Sequence, residues 1–100
     1  SGDLEVDIPS RRVTRHGEPI SLTPTEFNLL SVLMRRQGES LSSEELVRQV
    51  WRPQYANEVG FVRRYVWHLR QKVELDPENP QYIHNERGYG YRFQKDDIEG

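Results

Sequence analysis

The sequence predicts an α+β domain: a short N-terminal antiparallel sheet, three helices and a C-terminal β-hairpin. Three observations carry this. Residues 4–8 read Leu-Glu-Val-Asp-Ile, the alternation of a half-buried strand. Two helix starts pair a hydroxyl residue with a glutamate three positions later, Thr23 with Glu26 and Ser42 with Glu45. Residues 87–90, Arg-Gly-Tyr-Gly, set two glycines free to take positive φ between strand-like runs, as a hairpin turn requires.

The elements follow in order. Pro9-Ser10 turns the chain after the first strand. A second strand spans 11–15 with Val13 inward, and His16-Gly17 turns again. A third, 19–22, carries Ile20 and Leu22 at alternate positions. Charged outer positions leave one face of this meander to be covered. The first helix has Thr23 as cap and Pro24 at its first position, and it stops near Gln37 before Gly38. Phe27, Leu30, Leu33 and Met34 form its buried stripe. Ser40-Leu41 adds a very short strand. The second helix turns Leu46, Val50 and Trp51 inward and ends at Arg52-Pro53, because the residue before proline disfavours helical geometry. A polar loop at 54–58 leads to the third helix, 60–74. After the proline-flanked loop 76–80, strands at 82–86 and 91–94 form the hairpin, with Tyr91 or Phe93 sealing it onto the helices.

One hundred residues, 34% of them hydrophobic, suit one domain with one modest core. Ser1-Gly2 is set aside as a tag remnant, 3–95 form the domain and 96–100 an acidic tail. The absence of cysteine excludes disulfides and thiolate metal sites. No apolar run approaches the ~18–20 residues of a membrane span, and no signal peptide is visible. The three histidines are scattered, with no metal-ligand spacing, and no glycine-rich phosphate loop occurs. We therefore expect no metal, no cofactor and no enzyme.

The third helix holds the chemistry. At ~100° per residue, Val62, Val66, Leu69 and Val73 share one side, with Tyr65 at its edge. Gly60, Arg64, Trp67 and Gln71 lie opposite, flanked by Arg63 and His68. Between Val59 and Val73 stand Arg63, Arg64, Arg70 and Lys72, and no acid. An apolar back and a basic, aromatic front suit a helix lying against a polyanion. A solvated surface helix would share this pattern, so the neighbouring elements decide. The net charge of −2 argues mildly against a nucleic-acid partner, but bases gathered on one face make a local positive field. The second helix, a loop and the third helix form a helix-turn-helix, and the hairpin after it is a wing. This winged helix-turn-helix sends its third helix to the major groove and its wing to the minor groove or the backbone.

The candidate contacts follow from side-chain chemistry. Arg63, Arg64 and His68 are placed for base edges, since arginine grips guanine with two hydrogen bonds. Trp67 packs on sugar or a thymine methyl, or against a neighbouring protomer. Arg70 and Lys72 position the helix through phosphates, and Gln71 can pair with adenine. Arg87 at the wing tip suits a narrow minor groove, and Arg92 suits phosphate.

Four stretches together resemble one family. Residues 22–30, Leu-Thr-Pro-Thr-Glu-Phe-Asn-Leu-Leu, resemble the opening of the OmpR/PhoB-type DNA-binding domain, the effector half of many bacterial two-component response regulators. Residues 43–51 resemble its second helix, which ends in tryptophan. Residues 66–73, Val-Trp-His-Leu-Arg-Gln-Lys-Val, are similar to its recognition helix, and 86–93, Glu-Arg-Gly-Tyr-Gly-Tyr-Arg-Phe, to its wing. The resemblance spans about 4–94. It implies a sequence-specific transcriptional regulator of the bacterial cytoplasm, bound head-to-tail to direct repeats in double-stranded DNA. It also implies a phosphorylated receiver domain and an RNA polymerase contact through the loop from Arg52 to Val59. The family opens with four strands, where three are counted here. Arg63, Arg64, Trp67 and His68 depart from residue types common in the family, so the target sequence is this chain's own. The acidic balance keeps a protein–protein interaction module as the alternative, marked by no salt-dependent DNA affinity. A second alternative is the same domain in a regulator without a receiver.

Overall fold

The computed structural model describes residues 3–51 and 60–95. The polar loop and the expected polymerase contact fall at 52–59 and lie outside them, as do Ser1-Gly2 and the acidic tail.

Strands β1 (Leu4–Asp7), β2 (Arg12–Arg15) and β3 (Glu18–Ile20) form an antiparallel sheet in that order. Val6 lies opposite Val13 and Val13 opposite Ile20, so these side chains make one row on the inner face. Leu4 and Arg15 are opposite one another and extend that face. The tight turn between β2 and β3 is paid in backbone geometry: His16 and Gly17 both take positive φ, 53° and 80°, as a two-residue hairpin loop with the right twist demands. The second strand starts one residue later than expected. Arg11 adopts φ 57°, and its guanidinium lies 4.3 Å above the Phe27 ring.

Helix α1 (Pro24–Arg35) opens with the predicted capping box. The Glu26 amide donates to Thr23 Oγ1 at 3.2 Å and the Thr23 amide to Glu26 Oε1 at 3.0 Å. Its burial is wider than a stripe. Leu29 and Val32 are buried with Phe27, Leu30 and Leu33, whereas Met34 is half-buried. The reason is tertiary, because α1 packs against α2, α3 and β6 at once.

Strand β4 (Ser40–Ser42) leads directly into α2 (Ser43–Val50). Ser42 caps α2 by accepting from the Glu45 amide at 3.0 Å. Only this half of the expected box forms, because the Glu45 carboxylate turns to Arg48 at 2.9 Å and Gln49 at 2.7 Å. Leu46 and Val47 are the buried residues of α2, with Val50 and Trp51 half-buried. Helix α3 (Gly60–Val73) buries Val62, Val66, Leu69 and Val73, the predicted four.

Strands β5 (Ile83–Glu86) and β6 (Gly90–Phe93) complete the chain's second sheet, ordered β4-β6-β5. Tyr91 and Phe93 both face the core, and Phe93 stacks on Tyr82 with ring centroids 5.8 Å apart. Gly88 takes the expected positive φ of 73°. Gly90 serves a different end: a Cβ there would stand 1.9 Å from the Leu41 carbonyl oxygen, so the residue permits the close approach of β4.

Candidate nucleic-acid interface

The one-sided burial of α3 sets the interface. With its four apolar residues turned inward, Arg63, Arg64, Trp67, His68 and Gln71 are exposed together. Trp67 is 56% exposed, a large apolar surface to leave in water. Its ring meets that of His68 edge-on, with centroids 5.1 Å apart. On the flank of α3, its own Phe61 and Tyr65 pack edge-to-face with Trp51 at the end of α2, at 4.8 and 5.1 Å between ring centroids. That aromatic cluster supports the helix beside the apolar stripe of its inner side.

The wing stands beside this face. Its tip turns through Arg87, Gly88 and Tyr89, closed by the Tyr89 amide donating to the Glu86 carbonyl at 2.9 Å. Arg87 and Tyr89 are exposed. Between α3 and the wing runs an open groove of about 840 Å³, lined by Arg63, Trp67, Asn85, Arg87 and Tyr89 among others. Among the described residues, no carboxylate pairs with Arg63, Arg64 or Arg87. Their charge is therefore available to a ligand.

Three expected contact residues are placed otherwise. Arg70 is half-buried, and its guanidinium donates to the Ile83 carbonyl at 2.8 and 3.2 Å and to Asn85 Oδ1 at 2.9 Å. It also lies 5.8 Å from the centre of the Tyr91 ring. Burial lowers its pKa from the ordinary arginine value, and it remains charged. Lys72 turns to the opposite side of the helix, where Nζ meets Glu26 Oε1 at 2.6 Å. Burial works to raise the Glu26 pKa, but the hydrogen bonds from Lys72 and Thr23 outweigh it and hold the carboxyl below its ordinary value. Arg92 lies on the sheet face away from Tyr91 and Phe93, and its Nε donates to Glu86 at 2.7 Å. Ser40 donates to the same carboxylate oxygen at 2.9 Å. Without DNA, the three cations expected at phosphates are thus bonded within the domain.

Asn85 and Ser43 line the groove and were not among the expected residues. For Asn85 a signal exists in the sequence: it stands two residues after the buried Ile83, so the period of two puts it on the helix-facing side of the wing. Ser43 carries none, since its place depends on β4 lying beside β6.

Among the described residues, no helix is long and apolar enough to cross a membrane, and no cluster of His, Asp or Glu could hold a metal ion.

A helix-turn-helix whose recognition helix and C-terminal hairpin flank one groove is a winged helix. The family described as "Transcriptional regulatory protein, C terminal" matches residues 17–93, and the chain belongs to that family, the OmpR/PhoB-type DNA-binding domain. The DNA-binding response regulator MtrA of Mycolicibacterium smegmatis is 46% identical over 91 residues, covering 91% of this chain and 40% of MtrA. The KDP operon transcriptional regulatory protein KdpE of Escherichia coli is 43% identical with the same coverage. The chain thus spans about 40% of the length of these relatives. Among solved structures, the Klebsiella pneumoniae RstA DNA-binding domain, in complex with the RstA box, matches with a TM-score of 0.85. It is 26% identical and covers 93% of this chain and 92% of that one. The response regulator DrrB of Thermotoga maritima, an OmpR/PhoB homologue, matches with a TM-score of 0.77 at 30% identity, covering 94% of this chain and 42% of DrrB.

Proposed function

We propose that this domain binds double-stranded DNA sequence-specifically, as the effector part of a bacterial two-component response regulator. The observation that carries the reading is the shared groove. Arg63 and Trp67 of α3 and Arg87 of the wing line it together, and the described carboxylates leave both arginines unpaired. In this reading α3 enters the major groove, where Arg63, Arg64 and His68 meet base edges and Gln71 meets adenine. Trp67 packs on sugar or a thymine methyl. Arg87 enters the adjacent minor groove, whose negative potential attracts arginine.

The action is binding, not catalysis. Two copies lie head-to-tail on direct repeats, a receiver domain in the full-length protein controls that pairing, and the protein works in the cytoplasm. The stretch 52–59 is the proposed contact for RNA polymerase. The similarity to MtrA, a DNA-binding response regulator, supports the DNA-binding and response-regulator parts of this reading.

Selection from a randomised duplex pool near physiological salt, followed by a salt titration on the enriched sequence, tests the reading. We expect an enriched direct repeat whose affinity falls steeply with salt, as release of phosphate counterions requires. A lone enriched half-site would place the pairing in the receiver. No enrichment, with no retention at low salt, would sink the reading.

A further inference from the structure

The end of α3 and Glu74 just after it hold the base of the wing by backbone groups of Gln81, Tyr82 and Ile83, and Ile83 is held on both sides. Glu74 continues the helical turn, its amide donating to the Arg70 carbonyl at 3.0 Å. Arg70 and Glu74 are therefore four residues apart on one helical face. Glu74, only 2% exposed, accepts from the amides of Gln81 at 2.7 Å, Tyr82 at 3.0 Å and Ile83 at 2.8 Å. Arg70 donates to the carbonyl of that same Ile83 and, further toward the wing tip, to Asn85. Both backbone polar groups of Ile83 are thus held by side chains of the recognition helix.

Strand β5 is an edge strand, paired on one side only with β6. The Gln94 amide donates to the Tyr82 carbonyl across that ladder at 2.7 Å. Ile83 alternates with Tyr82 and presents its N–H and C=O to the open side, where an edge leaves them without strand partners. A buried carboxylate and a forked cation satisfy those groups from α3. Arg87 lies two residues beyond Asn85, so any swing at Ile83 displaces the wing arginine relative to Arg63 and Arg64.

We propose that Arg70 and Glu74 are positioning residues: by gripping Ile83 they fix the wing against α3, so that Arg87 and the α3 arginines meet DNA in one geometry. This rests on the DNA-binding reading above. The rival account is that pairing of β6 with β4 alone fixes the wing.

The absence of cysteine makes a two-label distance measurement clean. Spin labels at Gln71→Cys and Tyr89→Cys report the distance from α3 to the wing tip in the free domain by pulsed electron paramagnetic resonance. We expect a narrow distribution in the parent and one about twofold broader with Arg70→Met or Glu74→Gln added, as a loosened local unit gives. Should Glu74→Gln fail to fold, Arg70→Met alone decides. Unchanged widths would overturn the proposal. The second measurement is a double-mutant cycle on the selected duplex. Arg87→Ala should weaken binding about tenfold in the parent and less than about threefold in Arg70→Met, since a wing out of place has little contact left to lose. Equal fold losses would also overturn the positioning role. If the parent binds no duplex, the DNA reading fails while the distance distribution still decides whether Arg70 and Glu74 hold the wing.

Discussion

Helices α1 and α3 are of similar length, 12 and 14 residues, and meet the core in opposite ways. Seven residues of α1 are buried, including the charged Glu26, against four of α3. The buried residues of α1 run nearly continuously from Glu26 to Val32 and Leu33, so neighbours surround it. Those of α3 fall at 62, 66, 69 and 73, the spacing of a single stripe. A surrounded helix has its residue types dictated by packing. A helix held from behind leaves its other face open to selection by a ligand, which is where this chain places Arg63, Arg64, Trp67 and His68. The contrast separates the parts of the sequence that fold the domain from those that would read DNA.

The largest expected effect lies in α1. Leu30 is fully buried, and Leu30→Ala should lower unfolding free energy by about 2–5 kcal/mol, removing transfer energy and leaving a cavity. Urea unfolding measures this, and the ratio of specific to non-specific affinity should stay unchanged in buffer that keeps the variant folded. A changed ratio would mean that α1 also shapes the interface. Next comes the converse in α3. Arg64→Ala should weaken binding to the selected duplex by about 1–3 kcal/mol, with less loss on non-specific DNA and the melting temperature kept. Equal loss on both duplexes would reduce Arg64 to a phosphate contact.

The smallest effect tests the bond joining the two helices, Lys72 to Glu26. Glu26 has a lowered folded-state pKa. Its stabilisation is therefore fully present above the unfolded value of about 4.3 and is lost as pH falls through the folded value. Glu26→Gln should be less stable than the parent by about 1–2 kcal/mol near pH 7, the scale of a hydrogen bond to a charged group reduced by solvent at the partly exposed Lys72. That gap should close as the pH is lowered below the unfolded value and through the depressed folded one. A gap independent of pH would rule out the charge of Glu26 as its source, since protonation removes that charge just as glutamine does, and glutamine keeps the capping box.

Much of this was legible from local pattern. The Thr23–Glu26 box, the inward stripe of α3, the turn at His16-Gly17 and the exposure of Arg63, Arg64, Trp67 and His68 all follow from residue type and period, which act over a few positions. The second box, Ser42 with Glu45, carries the same signature yet forms only in part, because Arg48 and Gln49 compete for the carboxylate on the folded surface. Gly90 looks like a turn glycine, and its need for lacking a Cβ comes from a carbonyl of a strand almost fifty residues earlier in the chain.

By itself the sequence determined the kind and order of the elements and the side of each that faces the core, because periodicity and capping are local. Only the tertiary structure decided the partners of the long cations. Arg70, Lys72 and Arg92 sit where a periodic reading sends them toward phosphate. A flexible stem lets each charged head swing toward whichever carboxylate or carbonyl the fold brings near: Ile83 and Asn85, Glu26, and Glu86. Those acceptors come from other elements: Glu26 stands 46 residues from Lys72, and although Ile83 and Glu86 lie only 13 and 6 residues from Arg70 and Arg92, it is the folding of the hairpin and its packing on α3 that bring them within reach.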